Sequence, residues 1–486
     1  MGETVGKTDP MVKKKSNDMK QSKNIFVKAG RAIASFFKWI GNDIKEIGVT
    51  FKEGDWKTRI SFLIMGFGSV MRGAVLKGIA LFILEAAFIA YMVLFGVGYL
   101  KKLPTLGTVE THFNDLGVRV YGDNSFLILL YGLLTIIFII IFIFSWRVNV
   151  RVNRNEEIIL KNGKKLPSNA KTFKSLFDEN FDKTLLALPV LGVSLFTMLP
   201  IIFMICVAFT NYDYTHQSPT KLFTWVGFDN FVNMFSTATD GYGSTFMGVL
   251  GWTLIWAFFA TFLNYFLGMA VALLINKKGV KFKKLWRTIL VLTIAIPQFV
   301  SLLYVSKMFA VDGIINKFLL AHGWIDKAIP FWTNGTYARI LIIIINLWIG
   351  IPYLMLIATG LLMNIPEDLY ESARIDGANK FQMFMKITLP YMLFVTGPYL
   401  LTQFTGNLNN FNVIYLLTGG GPTSTTLTGG AGKTDLLVTW LYKMTVDKTD
   451  YKTAAVIGIM VFLVTAIISL VVYNIIPSVK DEEGFQ

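Results

Sequence analysis

Long apolar runs alternate with short polar links along this chain, and the runs set the expected architecture. Eight of them lie near 77–98, 124–147, 186–209, 247–275, 286–309, 338–360, 389–409 and 454–477. Each has about the length an α-helix needs to cross a bilayer core, roughly 17–25 residues. Thr396, Gly397, Pro398, Thr402 and Gln403 interrupt the seventh run with polar and helix-breaking residues. The stretch "ISFLIMGFGSVMRGAVL", residues 60–76, is apolar but rich in glycine. It is compatible with a segment lying on the membrane or with an extension of the first span. The expected fold class is an all-α polytopic membrane protein with about eight transmembrane helices.

Charge changes this picture by orienting it. Lys and Arg outnumber Asp and Glu by 46 to 31 in 486 residues, a net charge of +15. The cations cluster between apolar runs and form no continuous basic face, which argues against a nucleic-acid partner. The links 148–184 and 276–287 are rich in Lys and Arg, whereas the alternate links are poor in them. Basic links stay inside, so both termini and the link 361–388 are expected in the cytoplasm of a bacterial cell, with the chain multi-pass in the plasma membrane. The links 211–246 and 410–453 then face outward, either as plain connections or as a docking surface. The first residues lack the apolar core and cleavage site of a signal peptide.

Candidate chemistry is sparse. One cysteine, Cys206, and three histidines, His112, His216 and His322, leave no disulfide and no His- or Cys-based metal centre to expect. "GGAGKTD", residues 429–435, has Leu427 where a phosphate loop requires glycine, and no buried strand leads into it. No carboxylate pair stands out for glycoside hydrolysis. Glu85, inside the first span, is either a functional acid or a group bonded to a neighbouring helix. An ion-coupled secondary transporter would place more ionisable groups in its spans. A membrane glycosyltransferase would need a convergent acidic or metal site. The expectation is a transport subunit and not an enzyme.

The most informative link is "YESARIDGANKFQMFMKITLP", residues 370–390. Asn364 can cap a helix there, Pro366 suits an early helical position, and Glu367 and Asp368 suit its positive end. Leu369, Ser372, Ala373 and Asp376 fall on roughly one face. Gly377 offers a sharp exit. Such a helix is either a mechanical link to another protein or a loop helix resting on headgroups.

Glu371, Ser372, Ala373, Gly377, Leu389 and Pro390 resemble the cytoplasmic signature of ABC importer permeases. With "NNFNVIYLLTGGGP" and "TDLLVTWLYKM", the chain is similar to the binding-protein-dependent sugar permeases of MalF-like type, which handle maltose and maltodextrins. Ser372 stands where alanine is commonest and keeps the site small. The resemblance implies a cytoplasmic segment over 1–76, partly interfacial, then two accessory spans and a loop over 77–184. A six-helix permease core over 185–478 and a cytoplasmic tail over 479–486 follow. It implies a coupling helix at 367–377, with Glu371, Ser372, Ala373, Asp376 and Gly377 meeting an ATPase. It implies as partners a homologous MalG-like permease, two ATPase subunits that carry the ATP and Mg2+, an extracytoplasmic maltodextrin-binding protein and membrane lipid. This chain itself would hold no cofactor. Other oligosaccharides stay open as cargo. The loop 211–246 is too short to match the large outer insertion of the enteric relative.

A sugar path through lipid needs hydrogen-bonding groups and aromatic faces. "TIAIPQF", "NLWIGIPY" and "TGNLNNFN" supply them in Gln298, in Asn346, Trp348, Gly350 and Tyr353, and in Asn407, Asn409, Asn410 and Asn412. Membrane amides face protein or a cavity, so the alternative role is to join helices. The resemblance assigns sugar binding to Gln298, Asn346, Gly350, Tyr353, Asn407 and Asn410, and puts Ile294 where the enteric protein has a tyrosine. Asn409 and Asn412 fit bracing or the outer rim.

Overall fold

The computed structural model describes residues 30–476 except 32, 33, 36, 176, 239, 240 and 278. The basic start of the chain, Lys278 and the tail 479–486 lie outside the described residues. Helix dominates; the one small sheet among the described residues pairs His112–Phe113 with Arg119–Val120. Among the described residues, seven helical segments are long and apolar enough to cross a membrane: Val75–Lys102, Ser125–Lys161, Thr184–Val207, Gly243–Asn276, Gly335–Leu362, Lys380–Thr418 and Tyr451–Ile475.

The run 286–309 is not one straight helix. Lys283–Ala295 and Gln298–Met308 meet at 92°. Pro297 is the physical reason: it has no N–H to give, and it drives the preceding Ile296 to extended backbone. The seventh run, which looked more broken in sequence, stays helical through Pro398 over Leu389–Leu408. Its threonines turn back on the helix, Thr396 Oγ1 to the Met392 carbonyl at 2.6 Å and Thr402 Oγ1 to the Pro398 carbonyl at 3.1 Å.

The chain forms two compact units. The described part of the first falls within Met1–Pro104 and Leu127–Pro200. Here the structure corrects the expected loop 148–184, because the helix begun at Ser125 runs on to Lys161. Its polar end holds the segment 54–72. Asn149 accepts from Gly66 N at 2.9 Å and donates to the Ser61 carbonyl at 2.7 Å, and Glu157 accepts from Thr58 Oγ1 at 2.8 Å. Residues 60–76 neither extend the first span nor form one continuous helix. They fold through turns at Gly66 and Gly73, whose positive φ values favour glycine, and the span starts at Val75. Glu85 is buried and accepts the Met65 backbone N–H at 2.8 Å, a bond to neighbouring backbone.

The described part of the second unit falls within Thr105–Phe126 and Ile201–Gln486. Its centre is the pair Gly243–Asn276 and Gly335–Leu362. A Cβ on Gly268 would stand 2.6 Å from Leu354 Cβ, so the missing side chain sets how closely these helices approach. Trp252, Trp256, Leu302, Ile342 and Ile345 bury one cluster, and Tyr265, Met269, Met355 and Met392 another. The loop 208–228 is pinned to the start of Tyr451–Ile475. Tyr212 stacks on Phe223 and on Tyr451, and Lys452 Nζ reaches Asp213 at 2.6 Å. Burial works to raise the Asp213 carboxyl, but hydrogen bonds from Lys452, Thr215 and His216 outweigh it and hold it well below the usual carboxylate range.

Candidate functional site: a polar pocket between three helices

Three helical stripes within the second unit converge on one pocket. Asn346, Gly350 and Tyr353 recur at intervals of four and three, on one face of Gly335–Leu362. Tyr399, Gln403, Asn407 and Asn410 recur at four, four and three along Leu389–Leu408 and the turn that follows. The π-helical turn Phe259–Leu263 widens the third helix and brings Ala260, Thr261 and Asn264 to the same side. Gln298 joins them from the helix that begins after the Pro297 break. The cavity they line has a volume of about 180 Å³. A neighbouring cavity of about 410 Å³ shares Gln298, Gly350 and Tyr353 and adds Ile294 and Trp348.

All six residues that the resemblance assigned to sugar, Gln298, Asn346, Gly350, Tyr353, Asn407 and Asn410, line the smaller cavity. Their surroundings differ. Asn346 is 7% exposed, yet its amide hydrogen-bonds no described residue. Asn407 donates to Thr261 Oγ1 at 3.0 Å, and its carbonyl accepts from Trp256 Nε1 at 3.1 Å. Asn410 donates to Asn407 Oδ1 at 3.2 Å and caps the helix Phe411–Thr418 through Val413 N. These two amides therefore join helices and line the cavity at once. The space that Gly350 leaves is taken by Asn264, whose Nδ2 would lie 2.6 Å from an added Cβ. Asn409 and Asn412 are exposed, and Asn409 turns back to the Thr405 carbonyl at 3.3 Å.

Sequence reasoning missed Thr261, Asn264, Tyr399 and Gln403. The signal was present in the four-residue spacing of Tyr399, Gln403 and Asn407, which marks one polar face. Two atoms in this group matter most. Asn264 Oδ1 and the Tyr399 hydroxyl are buried with no hydrogen-bond partner among the described residues. Leaving such groups unpaired costs about 1–3 kcal/mol each, a cost that a polar group entering the pocket would relieve.

At the far end of Gly335–Leu362 lies the helix Glu367–Ile375. Asn364 does not cap it; that backbone ends the preceding helix, and Pro366 takes the cap position with extended ψ. Glu371, Ser372, Asp376 and Gly377 are exposed and Ala373 is half-buried. Gly377 has φ +78°, and an added Cβ would meet no atom within 4 Å, so backbone conformation alone demands glycine there. Tyr370 OH and Thr388 Oγ1 hydrogen-bond at 2.8 Å, and Asn379 with Gln382 forms a capping box on the next helix. The short helix is thereby fixed to the span that follows it.

The "GGAGKTD" stretch uses its backbone donors inside its own loop: Gly432 N to Asp435 Oδ2 at 2.7 Å and Lys433 N to the Pro422 carbonyl at 2.9 Å. Among the described residues, no three His, Cys, Asp or Glu side chains are placed to hold a metal ion.

Residues 264–481 match the family described as "Binding-protein-dependent transport system inner membrane component". The galactooligosaccharides transport system permease protein GanP of Bacillus subtilis is 36% identical over 86% of this chain and 97% of its own length. The chain belongs to this family. The permease is also 33% identical to the maltodextrin transport system permease protein MalC of Streptococcus pneumoniae, over 87% of this chain and 96% of that one. Its fold resembles a crystal structure of a bacterial ABC transporter involved in alginate import, with a TM-score of 0.50 at 23% identity, covering 64% of the permease and all of that chain. The permease is therefore a multi-pass membrane component of a transport system, all-α in its spans.

Proposed function

We propose that this permease is the membrane subunit of an ATP-driven importer and forms the oligosaccharide path with a second, homologous permease. The observation that carries the reading is the pocket lined by Asn346, Tyr353, Tyr399 and Gln403, with two buried polar atoms left unpaired. A sugar ring offers hydroxyls to such amides and an apolar face to such tyrosines, and both demands follow from the cost of desolvating a neutral polyol. The cargo we favour is maltodextrin, on the strength of the MalF-like motifs. The similarity to a galactooligosaccharide permease supports a second reading, in which the same pocket accepts galactose-containing chains.

In this scheme the Glu367–Ile375 helix is the cytoplasmic coupling element, with Glu371, Ser372, Ala373 and Asp376 against an ATPase subunit. Both termini are then cytoplasmic, and a binding protein delivers sugar at the opposite end. ATP, held by two ATPase subunits, biases the closed state, and the rigid tie through Tyr370 and Thr388 carries that motion into the spans. The permease performs no chemistry on the sugar.

The test is ATP-dependent uptake of labelled maltotriose and of a labelled galactotriose by proteoliposomes, with the copurified complex and its binding protein. Uptake of maltotriose that needs both ATP and binding protein is expected. Uptake of the galactose-containing sugar alone would move the substrate to the second reading. Uptake driven by an ion gradient without ATP would reject the importer scheme.

Gly377→Val is expected to leave the complex assembled and to cut uptake per ATP hydrolysed by about tenfold. A β-branched residue at φ +78° strains the turn by roughly 1–2 kcal/mol and re-aims the helix. Unchanged coupling in that variant would remove the proposed role of the turn.

A further inference from the structure

The helix over residues 37–53, in the first unit, carries three separate faces that the transport scheme does not use. Phe37, Ile44 and Phe51 recur every seventh residue and are 65%, 63% and 51% exposed. Lys38, Lys45 and Lys52 follow each of them by one position, are exposed, and pair with no acid among the described residues. Seven residues make almost two helical turns, so each set forms a stripe along the helix, side by side. The third face is acidic and points the other way. Arg147 and Arg151 both bind Asp43, at 2.5 and 2.7 Å, and Arg154 binds Glu53 at 2.8 Å.

Those arginines fix the depth of the helix. They sit on Ser125–Lys161, directly after its apolar run ends at Phe144. At 1.5 Å per residue, Arg147 and Arg154 stand about 4 and 15 Å beyond that end. Arg154 therefore stands in the water just above the headgroups, about a Debye length from them, and Arg147 in the headgroup layer. Trp146 marks the same level and donates to the Phe62 carbonyl at 2.9 Å, while Phe62 meets Phe51 edge-on at 5.2 Å. The segment after the helix adds Leu63, 80% exposed.

We propose that the 37/44/51 and 38/45/52 stripes together bind the surface of an anionic bilayer, with the aromatic and aliphatic stripe seated among acyl chains and the lysines among lipid phosphates. Charge complementarity selects the occupant. The acids of the helix are neutralised by arginines of the spanning helix, which leaves the three lysines as uncompensated cations within the field of the headgroup layer. A neutral interface would satisfy the apolar stripe and give the lysines nothing. Each lysine near an anionic surface strengthens binding roughly fivefold at low salt, and the gain falls as salt screens it.

Gly48 lies between the two stripes, and a side chain added there meets no atom within 4 Å. The full chain, copurified with its partners, is labelled at Gly48→Cys in a Cys206→Ala background with an environment-sensitive fluorophore. It is then reconstituted into nanodiscs of phosphatidylcholine, with or without phosphatidylglycerol. The expected result is strong quenching by shallow brominated phosphatidylglycerol and shielding from aqueous iodide. With K38E, K45E and K52E combined, the preference for phosphatidylglycerol should drop by at least tenfold. A second measurement stands apart from that variant: lipid retained by the unmodified complex after mild detergent extraction should be enriched in phosphatidylglycerol and lose that enrichment at high salt. Equal quenching by both lipids, with no effect of the three substitutions, would overturn the anionic preference. Free access of iodide would overturn the membrane contact. Shielding that appears only when the ATPase subunits are present, without lipid quenching, would reassign the face to a protein and overturn the proposal.

Discussion

Asp435→Ala is expected to destabilise the second unit by about 3–5 kcal/mol, the cost of stripping one member from a buried ion pair. Asp435 is 1% exposed and accepts three hydrogen bonds, from Gly432 N at 2.7 Å, Thr439 Oγ1 at 2.8 Å and Lys443 Nζ at 2.6 Å. Removing the carboxylate orphans a lysine that is itself largely buried. Burial pushes the Asp435 carboxyl above its usual range although Lys443 pulls it down, so desolvation is the larger influence on this group. That balance makes a second outcome testable. Asp435→Leu combined with Lys443→Met should recover part of the loss, because the uncompensated charge is gone while Gly432 N still lacks an acceptor; Thr439 Oγ1 keeps the Leu436 carbonyl at 3.1 Å. Thermal unfolding in detergent of the single and double variants measures both. A double variant less stable than Asp435→Ala would show that the pair contributes more through attraction than it loses to burial.

In the pocket, Asn346→Ala and Tyr399→Phe are expected to reduce oligosaccharide uptake by roughly tenfold each, about 1.4 kcal/mol. They should do so without loss of stability. The Tyr399 hydroxyl is buried and unpaired, so Phe removes an unsatisfied group and should hold or raise the melting temperature. Asn346 bonds no described residue, and alanine there breaks nothing in the protein. Asn410→Ala behaves differently. It removes a helix cap and the bond to Asn407, and should cost about 1 kcal/mol of stability along with uptake. Uptake and unfolding measured on the same preparations separate the cases. Full uptake with Tyr399→Phe and Asn346→Ala would leave the pocket as unfilled packing and remove its role in the sugar path.

Much of this was legible before folding is considered. The lengths of seven of the eight apolar runs foretold long apolar helices, since crossing a bilayer is a local requirement on composition. The family motifs named the six pocket amides, aromatic and glycine positions, and the structure brings all six to one cavity. Local rules failed where two signals competed. Pro398 and Pro297 look alike in sequence, but only Pro297 follows a residue released to extended backbone, and there the span bends by 92°. Asn364 looked like a cap, yet the preceding helix claims it.

Composition and periodicity thus determined that the chain carries a series of membrane helices with a polar helix between two of them, because both properties are written within a few turns of sequence. Tertiary structure alone decided which polar groups meet. Tyr265 and Thr396, 131 positions apart, share a hydrogen bond of 2.9 Å, and Trp256 finds the Asn407 carbonyl across 151. It also turned the basic stretch 148–161 from a loop into the helical anchor of 37–53, and left the Tyr399 hydroxyl and Asn264 Oδ1 without hydrogen-bond partners among the described residues. A side chain's partners depend on which helices come to lie side by side, and no repeat along one helix records its neighbour.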